Sequence, residues 1–126
     1  MVKMDKALII GAAGFVGSYL INHLKQQGVS EIFATKLPNE QLKNDNAYIY
    51  DLDILDKESI ISLLYEIRPT HIFHLAAQSS VGVAWTNPGL TIDVNVKGSV
   101  NVLDAVRELY YNPRIVLIGS GEEYGY

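Results

Sequence analysis

The sequence predicts an α/β domain, a doubly wound parallel sheet with helices on both faces. Short β-branched runs alternate with longer amphipathic stretches along all 126 residues. The first run, Ala7-Leu8-Ile9-Ile10, is apolar throughout and ends in Gly11, as a strand buried on both faces does. Strand, helix, strand in this rhythm calls for crossover connections, and crossovers of that length join parallel strands.

Each element has its own signal. After the first strand, Phe15, Val16, Tyr19, Leu20 and Leu24 recur at helical spacing, and Gly28 is a natural stop. Glu31–Ala34 reads as the second strand. The stretch 36–46 carries Pro38, three asparagines and Asp45 without helical periodicity, and is expected to be loop. Ala47–Tyr50 is the third strand. Asp56 is a candidate N-cap for a helix carrying Ile60, Leu63, Leu64 and Ile67, with Pro69 beyond its end. His71–Leu75 is the fourth strand, 76–89 an irregular segment, and a helix is expected over 93–110 with Val96, Val100, Leu103, Val106 and Tyr110 on its apolar side. Arg114–Ile118 is the fifth strand, and 119–126 is loop. No repeat or linker interrupts this, so residues 1–126 are expected to form one domain.

Composition narrows the function. Hydrophobic residues are 48% and charged residues 19%, which suits a packed core. The net charge of -4 has no basic patch to answer nucleic acid or an anionic membrane surface. With no cysteine, thiolate chemistry and disulfides are excluded. Lys3, Lys6 and the run to Leu24 resemble a leader or a membrane span only superficially, because three glycines and then Asn22 and His23 interrupt it. A cytoplasmic protein is expected. His71 and His74 stand three apart on one strand, hence on opposite faces, and no metal site is expected from them.

The turn Gly11-Ala12-Ala13-Gly14-Phe15-Val16-Gly17 carries the chemistry. Gly11 allows the sharp turn, Gly14 lets the backbone approach a pyrophosphate, and Gly17 lets the helix pack closely. The helix N-terminus then offers free N–H groups to the anion. A Rossmann-type dinucleotide site follows, with strand order 3-2-1-4-5. The second strand ends in Ala34-Thr35-Lys36, with no carboxylate before Glu40. A carboxylate there would hold the ribose 2′-hydroxyl of NAD. Thr35 and Lys36 suit the 2′-phosphate instead, so NADP is the expected cofactor, with NAD the alternative.

The Gly-x-x-Gly-x-x-Gly spacing resembles that of the extended short-chain dehydrogenase/reductase family. Further motifs fall where that family has them. Asp53-Ile54 resembles its adenine-contacting pair, and Leu75-Ala76-Ala77 the backbone passing the cofactor's phosphates and nicotinamide ribose. Val94-Asn95-Val96-Lys97-Gly98 is similar to its N-V-x-G motif, in which Asn95 would tie the helix start to the sheet. Gly119-Ser120-Gly121-Glu122-Glu123-Tyr124-Gly125 sits where the family places a catalytic serine or threonine. Ala77–Val81 and Trp85–Pro88 resemble the branch acting on GDP-mannose and its 4-keto-6-deoxy product. The Gly-Ser-Gly-Glu-Glu-Tyr-Gly run is most similar to the reductases of that branch.

The resemblance implies a GDP-linked nucleotide-sugar substrate; Ser79 and Ser80 either face the sugar or cap the irregular loop. It implies Ser120 on the carbonyl oxygen, and Glu122 is either the carboxylate that works at C5 in dehydratases or a plain loop carboxylate. It also implies a homo-oligomer, because in the family the helix near Val96–Tyr110 commonly forms a dimer interface. The family's proton donor is a tyrosine whose pKa is lowered by a lysine four residues on. No Tyr-x-x-x-Lys occurs in these residues, so the domain is expected to stop before that helix and the sugar-binding region, and to be inactive alone. GDP-4-keto-6-deoxy-mannose reduction is the leading expectation and GDP-mannose 4,6-dehydration or another epimerase or dehydratase reaction the alternative. A non-catalytic dinucleotide-sensing module is the alternative from another class.

Overall fold

In a computed structural model of the chain, residues 4–75 and 88–118 are described, with the backbone alone over 88–95. In chain order the elements are β1 (Lys6–Ile10), α1 (Phe15–Gln26), β2 (Glu31–Lys36), β3 (Tyr48–Asp51), α2 (Lys57–Ile67), β4 (His71–Leu75), α3 (Pro88–Glu108) and β5 (Arg114–Ile118). The strands form one parallel sheet in the order β3-β2-β1-β4-β5, as expected.

β1 is central, which is why Ala7, Leu8, Ile9 and Ile10 are inaccessible to solvent. Its alternation divides the core into two layers. Leu8 and Ile10 join Ile72, Ile60, Leu64 and Val102 under α2 and α3. Ala7 and Ile9 join Ile21, Leu24 and Ile32 under α1. Residues of opposite parity on each strand thus feed opposite layers.

Both long helices turn only part of the expected apolar side to the sheet: Leu20, Leu24 and Val106 pack on the core, but several bulky residues do not. In α1 the buried line is Gly17, Ile21 and Leu24, while Phe15, Val16 and Tyr19 are exposed. In α3 it is Gly98, Val102 and Ala105, while Val96, Val100, Leu103 and the following Tyr110 are exposed. Each line runs i, i+4, i+7 from a glycine. The glycine lets the helix approach its neighbour closely, and that contact, not side-chain size, sets the rotation. At Gly17 a Cβ would overlap the carbonyl of Ala12, and at Gly98 it would overlap the Ile54 side chain.

Boundaries also differ from expectation, most by one or two residues. β2 runs on to Lys36 instead of stopping at Ala34, because Thr35 and Lys36 pair in register with Tyr50 and Asp51. α3 begins at Pro88, five residues earlier than expected. Proline suits the first helical position, where its missing N–H costs nothing. At the other helix ends, Gly28 (φ +84°) lets its N–H reach Lys25 O and that of Val29 reach Leu24 O. Asp56 caps α2, accepting from the Ser59 N–H.

Among the described residues no helix is long and apolar enough to cross a membrane. None of their His, Asp or Glu side chains gather in threes fit to hold a metal ion.

Candidate dinucleotide site

Ligand sites in this topology lie beyond the carboxyl ends of the strands, where the strand order reverses. A cleft of about 260 Å³ opens there. Ile10, Gly11 and Ala13 line it from β1 and its turn, and Lys36, Leu37 and Glu40 from the end of β2. Asp53, Ile54 and Leu55 line it from the turn after β3, and Leu75 from the end of β4. The fold thus brings five expected cofactor residues, Gly11, Lys36, Asp53, Ile54 and Leu75, to one cleft.

The turn beside the cleft is held from β2. The Thr35 hydroxyl accepts from the Gly11 N–H at 3.0 Å, and the Thr35 carbonyl accepts from the Ala12 N–H at 2.7 Å. Gly11 takes φ +78°, a conformation side-chain-bearing residues rarely adopt. Gly14 then starts α1 with no side-chain hydrogen bond to cap it, and a Cβ there would project into open space. The first N–H groups of a helix have no intrahelical acceptor. Left free of a side-chain cap and beside an open approach, they fit the pyrophosphate of a dinucleotide.

Several expected contacts take different places. Thr35, expected on the 2′-phosphate, is only 1% exposed and braces the turn from beneath, so it has no surface for a ligand. Gly17, by contrast, packs against Ala12 as its place in the turn predicts. Phe15 and Val16 lie in the first turn of α1 with side chains in solvent, so only their backbone N–H groups could serve an anion at the helix start. Lys36 is not free: its Nζ lies 2.6 Å from Asp51 Oδ1 and also donates to Leu37 O at 3.3 Å. Ala76, Ala77, Ser79, Ser80, Ser120 and Glu122 fall outside the described residues.

Sequence reasoning did not single out Glu40, which lines the cleft, or Asp51, which pairs with the cleft residue Lys36. Asp51 faces Lys36 through the β2–β3 register, a pairing of residues fifteen apart that no local motif announces. Glu40 reaches the cleft because the chain turns back: its N–H donates to Leu37 O at 3.0 Å and its carboxylate accepts from the Leu37 N–H at 2.9 Å. The turn after β3 is equally tied, with Asp53 Oδ1 accepting from the Leu55 N–H at 2.9 Å. Deeper in the sheet, burial pushes the His74 imidazole below its usual pKa.

Comparison with known proteins agrees with this fold. The model of the NAD dependent epimerase/dehydratase family matches residues 7–126. The chain belongs to that family. UDP-glucuronate 4-epimerase 2 of Arabidopsis thaliana is 35% identical, over 94% of this chain and 30% of its own length. GDP-mannose 4,6-dehydratase of Yersinia enterocolitica is 34% identical, over 97% of this chain and 37% of its own. The crystal structure of Thermus thermophilus UDP-glucose 4-epimerase in complex with NAD superposes with a TM-score of 0.71 at 34% identity, covering 82% of this chain and 34% of that one. The chain therefore spans about a third of the length of the relatives it matches. Its fold is the NAD-binding fold of this epimerase/dehydratase family.

Proposed function

We propose that the chain binds NAD in the cleft between Gly11 and Asp53, as the cofactor-holding part of a nucleotide-sugar oxidoreductase. The observation that carries this reading is the uncapped start of α1 beside that cleft, with Gly14 leaving its approach open. Bound there, the dinucleotide would supply hydride transfer to and from a sugar carbon. The chain's own part is to grip it. The α1 N-terminus holds the pyrophosphate and Asp53–Leu55 wall the adenine.

NADP, favoured by the sequence on the strength of Lys36, loses that support. Lys36 is paired with Asp51, and Glu40 and Asp53 line the same cleft. The one cation among the described lining residues is already paired, and two carboxylates line the cleft with it, a poor setting for a 2′-phosphate and a fit one for a ribose hydroxyl. NAD is therefore the cofactor proposed. Calorimetry should show NADH binding more tightly than NADPH. Asp51→Asn, which releases Lys36, should shift the ratio toward NADPH by roughly fivefold, the size of one exposed ion pair. A Lys36→Ala chain that loses NADPH affinity far more than NADH affinity would restore the NADP reading. Gly14→Val should remove binding of both.

For the substrate, we propose a nucleotide sugar, GDP-linked by the likeness of Ala77–Val81, Trp85–Pro88 and Gly119–Gly125 to the GDP-mannose branch, with reduction of GDP-4-keto-6-deoxy-mannose the leading reaction. Ser120 would hydrogen-bond the carbonyl oxygen, Ser79 and Ser80 would face the sugar, and Glu122 would stand as a neighbouring carboxylate. The 34% identity to a GDP-mannose 4,6-dehydratase favours dehydration as the second reading. Turnover is tested on the chain expressed with any sequence that follows it in its gene, because Tyr-x-x-x-Lys is absent from these 126 residues. GDP-mannose consumed without added reductant identifies a dehydratase. Consumption of the 4-keto sugar only with NADH or NADPH identifies a reductase.

A further inference from the structure

The Asp53–Leu55 turn walls the cleft yet belongs to no helix or strand. Such a segment would ordinarily move, since irregular surface chain has few contacts to hold it. Here its ends are tied, one across to the end of β2 by Leu52 N–H to Lys36 O at 2.8 Å and the other within the turn by Asp56 N–H to Asp53 O at 3.0 Å. Its middle is held from a distance. Asn101, halfway along α3, donates from Nδ2 to the Ile54 carbonyl at 2.9 Å. One turn earlier on the same helix, Gly98 receives the Ile54 side chain so closely that any Cβ would overlap it. Backbone and side chain of one wall residue are therefore gripped by two positions, i and i+3, of a helix with no described side chain among those lining the cleft.

We propose that Asn101, with Gly98 beside it, is a positioning residue for the adenine end of the site: it fixes Ile54 so that the Asp53–Leu55 turn presents a ready wall to the purine. This rests on the reading of the cleft as the dinucleotide site. The amide is suited to the task because it can donate to a carbonyl while its own oxygen stays available to another donor. A carboxylate of the same shape cannot donate. Gly98 is suited because only a residue without Cβ leaves room for Ile54.

The test is titration of the chain with AMP and, separately, with inorganic pyrophosphate, followed by NMR amide shifts. In the unaltered chain AMP should move the Asp53, Ile54 and Leu55 signals, and pyrophosphate those at the start of α1. Asn101→Ala should weaken AMP about tenfold, the upper range for one hydrogen bond, and leave pyrophosphate affinity unchanged. Asn101→Asp, which keeps the size of the side chain, should weaken AMP at least as much. Gly98→Ala should do so by displacing Ile54 with the amide intact. Equal loss of AMP and pyrophosphate would show that Asn101 merely supports the fold, and unchanged AMP affinity in a folded Asn101→Asp chain would also overturn the proposal. If AMP leaves the 53–55 signals of the unaltered chain still, the cleft assignment itself falls, a result separable from failure of the Asn101 role.

Discussion

His74 is 3% exposed, its Nδ1 has no hydrogen-bond partner among the described residues, and burial lowers its pKa. His71 on the same strand is shifted the same way, by desolvation first and by the Arg114 charge second. A group whose folded pKa is depressed takes up fewer protons than it does unfolded. Stability is then full above the ordinary histidine value, about 6.5, and falls as the pH drops below it toward the folded pKa. Unfolding midpoints measured from pH 7.5 down to 5.5 should decline. In His74→Leu the decline should be shallower, His71 supplying what remains. An unchanged slope would show that His74 does not titrate on unfolding. At this scale the site was partly legible. Gly11, Asp53, Ile54 and Leu75, which line one cleft, were expected together, Gly11 from its strand-to-helix turn and the other three from the family resemblance. Asp51, Glu40 and Asn101 were not, since each acts through strand register, a chain reversal or a helix lying across the sheet.

Among the elements, α2 shows how a helix start responds to acid. Asp56 accepts from the Ser59 N–H at 3.3 Å and from its hydroxyl at 2.7 Å, and these bonds, the hydroxyl first, lower its pKa. The cap is therefore present above the usual carboxylate range and lost as the pH falls through the lowered pKa. Asp56→Asn should keep the neutral-pH melting temperature and flatten its fall between pH 4 and 2.5. Asp56→Ala should lose a few degrees at neutral pH. Equal melting temperatures for Asp56→Ala and the unaltered chain would show the cap to be idle. The strands and their order were readable because apolar runs and glycine stops are local signals. The rotation of α1 and α3 was not. Counting Phe15, Tyr19, Val96 and Val100 as apolar pointed the stripe one way, whereas close approach at Gly17 and Gly98 turned part of it away from the sheet.

For the molecule as a whole, a ligand seated between β1, β2 and the turn after β3 contacts parts that are together only in the folded state. Binding then stabilises the fold by mass action, about 2.7 kcal/mol at a free concentration one hundred times Kd. In a chain of 126 residues that corresponds to a rise of about 10 °C in melting temperature. NAD should produce it and Gly14→Val should cancel it. A melting temperature indifferent to NAD at millimolar concentration would place the ligand elsewhere.

One consequence of the Thr35 brace concerns time. Because β2 holds Gly11 and Ala12 through both hydroxyl and carbonyl, the turn has its binding shape before any ligand arrives. No slow rearrangement then precedes or follows encounter at this end of the cleft. In stopped flow with a fluorescent adenine nucleotide, the observed rate should rise in proportion to nucleotide concentration without reaching a plateau. Thr35→Val, which keeps the carbonyl and removes the hydroxyl, should bend that line toward saturation as the turn begins to exchange between open and braced forms.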